Sequence, residues 1–486
     1  MVVKKDQTKT FVIQTHMADH ASQASDLVSS DAILDLLTIG KRRSEQIHTE
    51  VLVSLTRPFS NRIDPIHTFA VTRQMNAIVN YWALPAERSW KLGVGEAIEI
   101  TAGGPLRFRK AASELYGVMD SAIIETNNTA GPIFLGGFRF RPKQRIIQPW
   151  REFDDGLLTL PRWMIASDPT GQCTLTINVT VNERTMLEKL RKQLAVESTK
   201  IFDEHELLPS PATTSVKIKP QTDRWGKKVT RALDAITAGK LSKVTLARSL
   251  KLHSKTSISP EAVLRNLTTN YPECRTFAFC RRGRYFVGAS PEELVSLNGA
   301  HVASTCLAGS APRGESEESD MVFSSWLLNN EKERREHQVV VDWVKDRMGI
   351  FCTKLDWNHA PYVLKLGNVQ HLATDFVGIR AEGCRILDFV EALHPTPAVG
   401  GKPLAPALKM ITKLEGFDRG WYTGPVGWVD GNGNGEFAIA IRCALLWKNE
   451  ALLYAGDGIV AGSDPDTEDR ETAMKFRPLL SALGAQ

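Results

Sequence analysis

The sequence predicts an α+β protein in which large antiparallel β-sheets are flanked by helices. Long strand-like runs with few regular crossovers support this class, because a doubly wound fold would alternate strands and helices. A strand–turn–strand pattern at 276–288 supports it as well. With 486 residues, of which 42% are hydrophobic, the chain can bury a core for one large domain or two.

The first part of the chain is predicted to hold mainly strands and turns. Residues 1–44 form a polar N-terminal extension in this interpretation, and residues 45–202 alternate strands and turns before a helix. The clearest strands are 51–55, 133–138 and 174–179, and the helix is 184–202. From 203 to 223 the composition turns to Pro, Ser, Thr and charged residues, which predicts a linker-like stretch.

The C-terminal region, 224–486, is more densely punctuated. Its predicted elements are a helix at 224–238, a strand at 244–252, a hairpin of 276–280 with 285–288, one long helix at 321–348, paired strands at 437–446 and 451–454, and a closing helix at 467–483. The long helix places Trp326 and Leu327 on its apolar side. The glycine-rich stretch 431–435 lacks the flanking strand and helix of a dinucleotide-binding loop, so it predicts a hairpin turn.

Composition narrows the class of protein. The net charge of +5, from 60 basic and 55 acidic residues, does not favour nucleic acid as a partner. Seven scattered cysteines without a CxxC pair favour reduced thiols over a disulfide scaffold or a zinc site. No apolar run reaches the roughly 18 residues of a membrane span, and no signal peptide is visible. We therefore expect a cytoplasmic protein that binds neither nucleic acid nor membrane.

Two acidic clusters repeat one design about 135 residues apart, at 333–337 and 468–471. In each cluster two glutamates stand three residues apart, so on a helix they share one face. Four carboxylates aimed at one point would repel each other unless a cation lay between them. Hard oxygen ligands suit Mg2+ better than zinc. The alternative is two solvated helices with ordinary salt bridges such as Lys332–Glu336 and Glu471–Lys475.

Nine short motifs follow one another in the C-terminal region. They are KVTLAR (243–248), GASPE (288–292), LAGS (307–310), EH (336–337), QHL (370–372), LHPTPAVGG (393–401), WYTGPVGW (421–428), AIR (440–442) and GIVAGS (458–463). Through these motifs the region resembles the chorismate-utilising enzymes, which include isochorismate synthases, salicylate synthases and the large component of anthranilate synthase.

Within that group the chain is most similar to isochorismate synthases, and FLGGFRF (134–140) is similar to the menaquinone-pathway type. Relatives that use ammonia or eliminate pyruvate usually carry Thr where this chain has Ala398. The resemblance implies an anthranilate synthase component I-like fold, with the N-terminal strands and the C-terminal region packed as one sandwich. It implies chorismate as the small-molecule substrate and no glutaminase subunit, and it leaves open whether the product feeds menaquinone or siderophore biosynthesis.

The resemblance also implies a reaction. Chorismate would become isochorismate as water adds at C2, the double bonds shift and the C4 hydroxyl leaves. One base and one acid are needed. By motif the base is Lys243, which must be neutral to act, and the acid is Glu292, which must stay protonated. From the residues alone, Glu293 competes with Glu292, and both roles compete with an ordinary strand-edge lysine and a turn-capping glutamate.

The resemblance assigns the remaining site residues. Glu336 and Glu471 would bind Mg2+ directly, with Glu333 and Glu468 behind them through water. The substrate-binding candidates are Tyr422 and Arg442 for the enolpyruvyl carboxylate, Gly456 and Gly458 for backbone N–H contacts, and Gly309, Ser310, His371, Ala398 and Lys475. His371 could equally be a satisfied core histidine. Relatives commonly have Ala between the two glycines, so Asp457 should weaken binding of a dianion unless it points away.

Three rival functions stay open. A salicylate synthase would also release pyruvate. An anthranilate or aminodeoxychorismate synthase component would need ammonia. A non-catalytic chorismate-binding or metal-binding relative would convert nothing, although the presence of Lys243, Glu292, Glu336 and Glu471 argues against loss of activity.

Overall fold

A computed structural model describes residues 23–59, 63–75, 77–126, 131–142, 148–202, 216–218, 225–367 and 369–485. These residues confirm the α+β prediction, because they form two large, mostly antiparallel sheets flanked by helices. They divide into two compact units. The first comprises the described residues within Met1–Ile100, Ser113–Leu135 and Leu158–Ser210, and the second those within Thr101–Ala112, Gly136–Leu157 and Pro211–Gln486.

The elements up to residue 202 are mainly strands, as the sequence predicts. In chain order they are α1 (Asp31–Ile47), β1 (Val51–Phe59), α2 (Pro65–Gln74), β2 (Val79–Leu84), a 3-10 turn (Pro85–Glu87), β3 (Ser89–Val94), β4 (Ile98–Ala102), α3 (Arg107–Ser121), β5 (Ile123–Glu125), β6 (Ile133–Phe138), β7 (Gly156–Leu160), β8 (Trp163–Ser167), β9 (Cys173–Val181) and α4 (Leu187–Phe202).

The elements after residue 202 alternate long strands with helices. They are β10 (Val216–Ile218), α5 (Trp225–Thr237), β11 (Lys243–Ser254), α6 (Pro260–Asn270), β12 (Arg275–Arg281), β13 (Arg284–Ser290), β14 (Glu293–Asn298), β15 (His301–Pro312), α7 (Glu317–Asn329), α8 (Glu331–Met348), β16 (Cys352–Trp357), β17 (Tyr362–Lys365), β18 (Val369–Arg380), α9 (Ile386–Leu393), β19 (Gly401–Lys402), α10 (Leu404–Glu415), β20 (Pro425–Asp430), β21 (Gly435–Ile439), β22 (Cys443–Trp447), β23 (Glu450–Val460) and α11 (Pro465–Ala482).

The first unit contains the strand order β2-β3-β8-β9-β1-β5. Strands β1 and β9 pair antiparallel, whereas β1 and β5 pair parallel. The predicted strands 51–55, 133–138 and 174–179 are confirmed as parts of β1, β6 and β9, and the predicted helix at 184–202 is α4. Residues 31–44, predicted as a polar extension, belong to α1, which buries Ile33, Leu36 and Leu37. The apolar face of α1 therefore gives this segment a place in the packed structure.

The second unit carries the elements that build the site. One run of strands follows the order β10-β11-β23-β22-β13-β12, and another follows β16-β18-β15-β14-β21-β20. Helix α8 packs on β15, and helix α11 packs on β23. The predicted hairpin of β12 with β13, the pairing of β22 with β23 and the turn at 431–435 are all confirmed.

Two predicted elements are wrong in their continuity. The single long helix at 321–348 is two helices, because Asn330 leaves the helical conformation and caps α8 with its side chain. Trp326, predicted on the apolar side, is 47% exposed. The single strand at 437–446 is also broken, because Arg442 adopts φ +49° between β21 and β22. As a result, Glu333 lies in the first turn of α8, and Arg442 lies directly before β22.

Several predictions concern segments without structural detail. The linker-like stretch at 203–223 lies outside the described residues except for β10. The extents of the predicted domains, and the joining of residues 45–202 into one sandwich with the C-terminal region, stay predictions.

The seven cysteines are all free thiols. Within the described ranges, no helix combines the length and the hydropathy of a membrane span.

Candidate active site

The predicted site residues come together around one cavity of about 70 Å³ in the second unit. A single water needs only about 15 Å³, so the cavity has room for larger groups. Eleven of the fifteen candidates line it, and they are Glu292, Gly309, Ser310, Glu336, His371, Ala398, Tyr422, Arg442, Gly456, Gly458 and Lys475. The other four, Lys243, Glu333, Glu468 and Glu471, lie next to lining residues.

Helix α8 brings Glu333 and Glu336 to the cavity from its first two turns. Asn330 Oδ1 accepts a hydrogen bond from Glu333 N at 3.1 Å, which fixes where the helix begins. The two glutamates share one helix face and are both buried. Burial and the neighbouring charge of Glu336 raise the pKa of Glu333 to about 7. A site of this kind favours a cation, because a cation relieves the repulsion between the carboxylates.

Helix α11 brings the second pair, Glu468 and Glu471, from its own N-terminal turns. Lys332 links the two helices, since its Nζ lies 3.0 Å from Glu468 Oε1 and 3.4 Å from Glu333 Oε1. The Lys332–Glu336 bridge considered from sequence spacing does not form between these described residues, because Lys332 turns to Glu468 instead. The duplicated clusters therefore meet in space, as their shared design suggests.

Lys475 lies between Glu471 and Asp457. Its Nζ is 2.8 Å from Glu471 Oε1 and 3.1 Å from Asp457 Oδ1, and it also donates to Gly456 O at 3.2 Å. Burial opposes the charge of Lys475, but the two carboxylates outweigh it and raise the lysine's pKa. Burial likewise opposes the charge of Glu471, but the Lys475 ammonium lowers that pKa to about 2. Burial and the charge of Glu471 raise the pKa of Asp457.

The donor set at this point fits Mg2+. Asp457, Glu468 and Glu471 each offer one oxygen, and the three oxygens lie within 4.8 Å of one another. Within the described structure, Asp457 Oδ2 and Glu468 Oε2 are buried without a hydrogen-bond partner. A buried carboxylate oxygen is unfavourable unless a hydrogen bond or a cation compensates it. Donors that are all carboxylate oxygens suit Mg2+.

Lys243 is the first residue of β11 and is completely buried. Strand β11 pairs antiparallel with β23, which places Lys243 opposite Val460 and Thr245 opposite Gly458. The Lys243 Nζ donates to Glu336 Oε1 at 3.0 Å. The lysine is therefore not a strand-edge residue facing water, and its amine lies at the wall formed by the acidic cluster.

Glu292 and Glu293 have different surroundings, although they are adjacent. Glu292 lines the cavity and is buried. Burial, opposed by the charges of Lys243 and Arg442, raises its pKa to about 7. Glu293 instead forms a salt bridge with Arg275 and does not line the cavity. The geometry therefore separates the two candidates that the sequence alone leaves in competition.

Arg442 occupies a strained position at the bend between β21 and β22. Its φ of +49° is rarely adopted by a residue with a side chain, and such a conformation costs of order 1–3 kcal/mol. Its carbonyl accepts a hydrogen bond from Ala289 N at 3.1 Å, which holds the bend. The side chain is buried in the cavity wall and forms no ion pair across the described ranges. A buried guanidinium without a carboxylate is ready to bind an anion.

His371 and Tyr422 supply neutral polar groups. His371 Nδ1 lies 3.0 Å from Gly309 O, which can only accept, so Nδ1 donates and Nε2 faces Arg442 at 3.4 Å. Burial and the Arg442 charge lower the pKa of His371 to about 3, so the imidazole stays uncharged. Tyr422 stacks on Tyr454 with ring centroids 4.9 Å apart, and burial raises its pKa. Its hydroxyl therefore remains a donor.

A β-bulge places Gly309 and Ser310 at the cavity. The register between β15 and β18 shifts between Ala308 and Ser310, and Gly309 has φ +76°. Ser310 N donates to Glu333 Oε2 at 3.0 Å. A Cβ on Gly309 would lie only 3.2 Å from the same oxygen. The glycine therefore lets the strand approach the acidic cluster closely.

The two glycines of β23 make room for the site side chains. A Cβ at Gly458 would collide with Glu336 Oε1, and a Cβ at Gly456 would lie 2.9 Å from the Tyr422 hydroxyl. In this structure the Gly458 N–H donates to Asp457 Oδ1 at 2.9 Å. The Gly458 N–H is therefore hydrogen-bonded within its own strand, whereas the resemblance assigns it to the substrate.

Sequence reasoning missed the roles of two residues. The spacing of Lys332 suggests only a local salt bridge, and Asp457 stands out only as a departure that weakens binding. The available signals are the position of Lys332 directly before Glu333 and that of Asp457 between two glycines. Neither signal identifies the partner, because each contact joins elements that are distant in sequence.

Comparisons with known proteins place the chain in a family. The family described as chorismate binding enzyme matches residues 37–484. The isochorismate synthase MenF of Bacillus subtilis is 33% identical over 462 residues, which cover 91% of this chain and 96% of that protein. The salicylate biosynthesis isochorismate synthase of Pseudomonas aeruginosa is 33% identical over 429 residues, which cover 87% of this chain and 88% of that protein.

Solved structures give the same fold. MenF, the menaquinone-specific isochorismate synthase from Escherichia coli, superposes with a TM-score of 0.74 at 24% identity, covering 93% of this chain and all of that one. Anthranilate synthase component I from Streptococcus pneumoniae superposes with a TM-score of 0.62 at 22% identity, covering 82% of this chain and 92% of that one. These likenesses confirm the predicted anthranilate synthase component I-like fold. Because the family match spans nearly the whole chain, the chain belongs to the chorismate-binding enzyme family.

Proposed function

We propose that this protein is a Mg2+-dependent isochorismate synthase that converts chorismate to isochorismate. The observation that carries the proposal is one cavity whose wall brings together a cation, an acidic cluster and two groups suited to acid–base chemistry. Arg442 is a buried cation without a carboxylate partner among the described residues. The carboxylates of α8 and α11 line the cavity or lie beside its lining residues. Glu292 and Lys243 supply the acid and the base.

Substrate anchoring is assigned to Arg442 and to the acidic cluster. Arg442 can bind the enolpyruvyl carboxylate with two parallel hydrogen bonds, and the Tyr422 hydroxyl adds a donor. When bound by the acidic cluster, Mg2+ supplies positive charge for the ring carboxylate. The chain's own part in the acidic cluster is to hold carboxylate oxygens in place, which Lys332 and Lys475 do through hydrogen bonds.

Acid–base chemistry is assigned to two buried groups. Glu292, with a pKa raised to about 7, can deliver a proton to the C4 hydroxyl as it leaves. Lys243 takes a proton from the water that adds at C2, for which the amine must first be neutral. One water enters and one leaves, so the reaction isomerises the substrate without a redox partner. Each group ends the cycle in the other protonation state, and solvent exchange restores both.

Ala398 favours the isochorismate synthase reaction over the reactions that use ammonia or eliminate pyruvate. Ala398 lines the cavity and carries no hydroxyl, whereas the relatives that use ammonia or eliminate pyruvate usually have Thr there. Two similar proteins at 33% identity bear the name isochorismate synthase. One similar structure is named as menaquinone-specific and one similar protein as vibriobactin-specific, so the proposal stops at the reaction itself.

The test is a product assay with purified protein, chorismate and MgCl2, resolved by chromatography. We expect isochorismate to accumulate without pyruvate and without dependence on ammonium, and we expect the Glu292→Gln protein to give none. Pyruvate released in step with chorismate loss would identify a salicylate synthase. Product formation that rises with ammonium would identify an anthranilate-type enzyme. Unchanged chorismate with a correctly folded protein would leave only a binding role.

A further inference from the structure

Asp457 is a carboxylate inside the acidic cluster, at a position where the resemblance leads one to expect Ala. It is the middle residue of Gly456-Asp457-Gly458 on β23 and is 4% exposed. One oxygen of Asp457 lies within 4.8 Å of oxygens from Glu468 and Glu471. An acidic cluster alone does not define a metal site. A second observation is needed, and the hydrogen bonding of the individual oxygens supplies it.

Each of two carboxylates in this group is anchored through one oxygen only. Asp457 Oδ1 accepts from Gly458 N at 2.9 Å and from Lys475 Nζ at 3.1 Å. Glu468 Oε1 accepts from Lys332 Nζ at 3.0 Å. The other oxygens, Asp457 Oδ2 and Glu468 Oε2, are buried and have no hydrogen-bond partner in the described part of the chain. Two fixed side chains therefore each present one unsatisfied oxygen.

The charges around Asp457 Oδ2 and Glu468 Oε2 favour a cation as their partner. The cluster contains five carboxyl groups, from Glu333, Glu336, Asp457, Glu468 and Glu471, and each is bridged to one of three lysine ammonium groups. The carboxyl groups therefore outnumber the ammonium groups, and Asp457 adds to that excess where an Ala would not. Buried oxygens without hydrogen bonds are compensated well by a metal ion.

We propose that Asp457 Oδ2 is a direct ligand of the divalent cation, together with Glu468 and Glu471, and that these residues bind the cation before any substrate arrives. The proposal rests on the proposed function only for the identity of the cation as Mg2+. It also changes the role of Glu336, which in this structure holds Lys243. Asp457 then supplies a ligand from β23, in addition to those from the two helices.

The test measures binding of Mn2+ alone, as a spectroscopic substitute for Mg2+, to the substrate-free protein. Titration followed by electron paramagnetic resonance gives the dissociation constant for wild type, Asp457→Asn, Asp457→Ala and a control, Asp469→Asn. Asp469 follows Glu468 on α11 but is largely exposed and bound to Arg248. We expect one Mn2+ per wild-type chain, at least tenfold weaker binding in both Asp457 variants, and a change below twofold in the control.

A crystal of the wild-type protein soaked in MnCl2 gives a second readout that needs no variant to fold. The anomalous peak should lie within about 2.5 Å of Asp457 Oδ2. A peak that contacts other carboxylates but not Asp457 overturns the proposal, as does unchanged Mn2+ affinity in Asp457→Asn. If the wild type makes isochorismate but binds no Mn2+ without substrate, this inference fails and the proposed function stands. If the wild type binds Mn2+ through Asp457 but leaves chorismate unconverted, the proposed function fails and this inference stands.

Discussion

Replacing Glu292 with Gln should abolish turnover and at the same time stabilise the protein at alkaline pH. The carboxyl group lines the cavity and is buried. Gln has a similar shape but carries no charge, so it removes the proton donor without emptying the site. Loss of one general acid lowers the rate by about 10²- to 10⁴-fold. Loss of a buried charge removes an unfavourable term from the folded state.

The size of the stability effect follows from the pKa. Burial raises the pKa of Glu292 from its ordinary value of 4.5 to about 7. Between these values the folded protein holds a proton that the unfolded chain has lost, so rising pH favours unfolding. The wild type should therefore lose roughly 2.5 kcal/mol of stability between pH 5 and pH 8 through this one group. The Glu292→Gln protein should lack that loss.

Equilibrium urea unfolding of both proteins at pH 5 and pH 8 measures this difference directly. Glu293→Gln is the matched control for activity, because Glu293 is bound to Arg275 and does not line the cavity. That variant should keep near-native turnover. If the gap between wild type and Glu292→Gln is the same at both pH values, Glu292 does not have a raised pKa. The wild-type rate should also fall as pH rises through about 7, since the acid ionises there.

Three further predictions concern the other walls of the site. Lys243→Ala should lower kcat by at least about 10²-fold, whereas Lys251→Ala, at a half-buried position of the same strand, should keep near-native kcat; equal losses would remove Lys243 from the mechanism. EDTA should abolish turnover, and an enzyme that is insensitive to EDTA would contradict the metal assignment. Glu471→Ala should raise the Mg2+ concentration needed for the half-maximal rate. Gly458→Ala should lower the unfolding free energy by about 1–3 kcal/mol, because its Cβ would collide with a site side chain, whereas Gly226→Ala on α5 should be neutral or stabilising in the same urea titration.

Much of the site could be predicted because its chemistry needs particular residue types at particular spacings. Two glutamates three residues apart share a helix face, and Glu333 with Glu336, and Glu468 with Glu471, lie in or beside the lining of one cavity as this rule leads one to expect. The strand-rich fold followed from the same kind of regularity, since β1, β6, β9 and β11 all carry clear strand patterns.

The rest depends on contacts that no local pattern encodes. The helix break at Asn330 is not predicted from the sequence because apolar spacing continues across it, and only the capping hydrogen bond decides the outcome. The break before Arg442 is missed for a similar reason, because its positive φ is held by the carbonyl's hydrogen bond to Ala289 N. The partner of Lys332 lies 136 residues away, so sequence spacing favours the wrong, local pair.

Arg442 and the acidic cluster would together impose an orientation on a substrate with two carboxylates. Arg442 can receive a carboxylate at once, because no ion pair with a described residue has to be broken. The acidic cluster would repel one, because Glu336 and Asp457 line the cavity and Glu471 lies beside them. Under the proposed function these carboxylates would hold a cation, which would relieve that repulsion. Arg442 would then fix which carboxylate of the substrate is left for the acidic cluster.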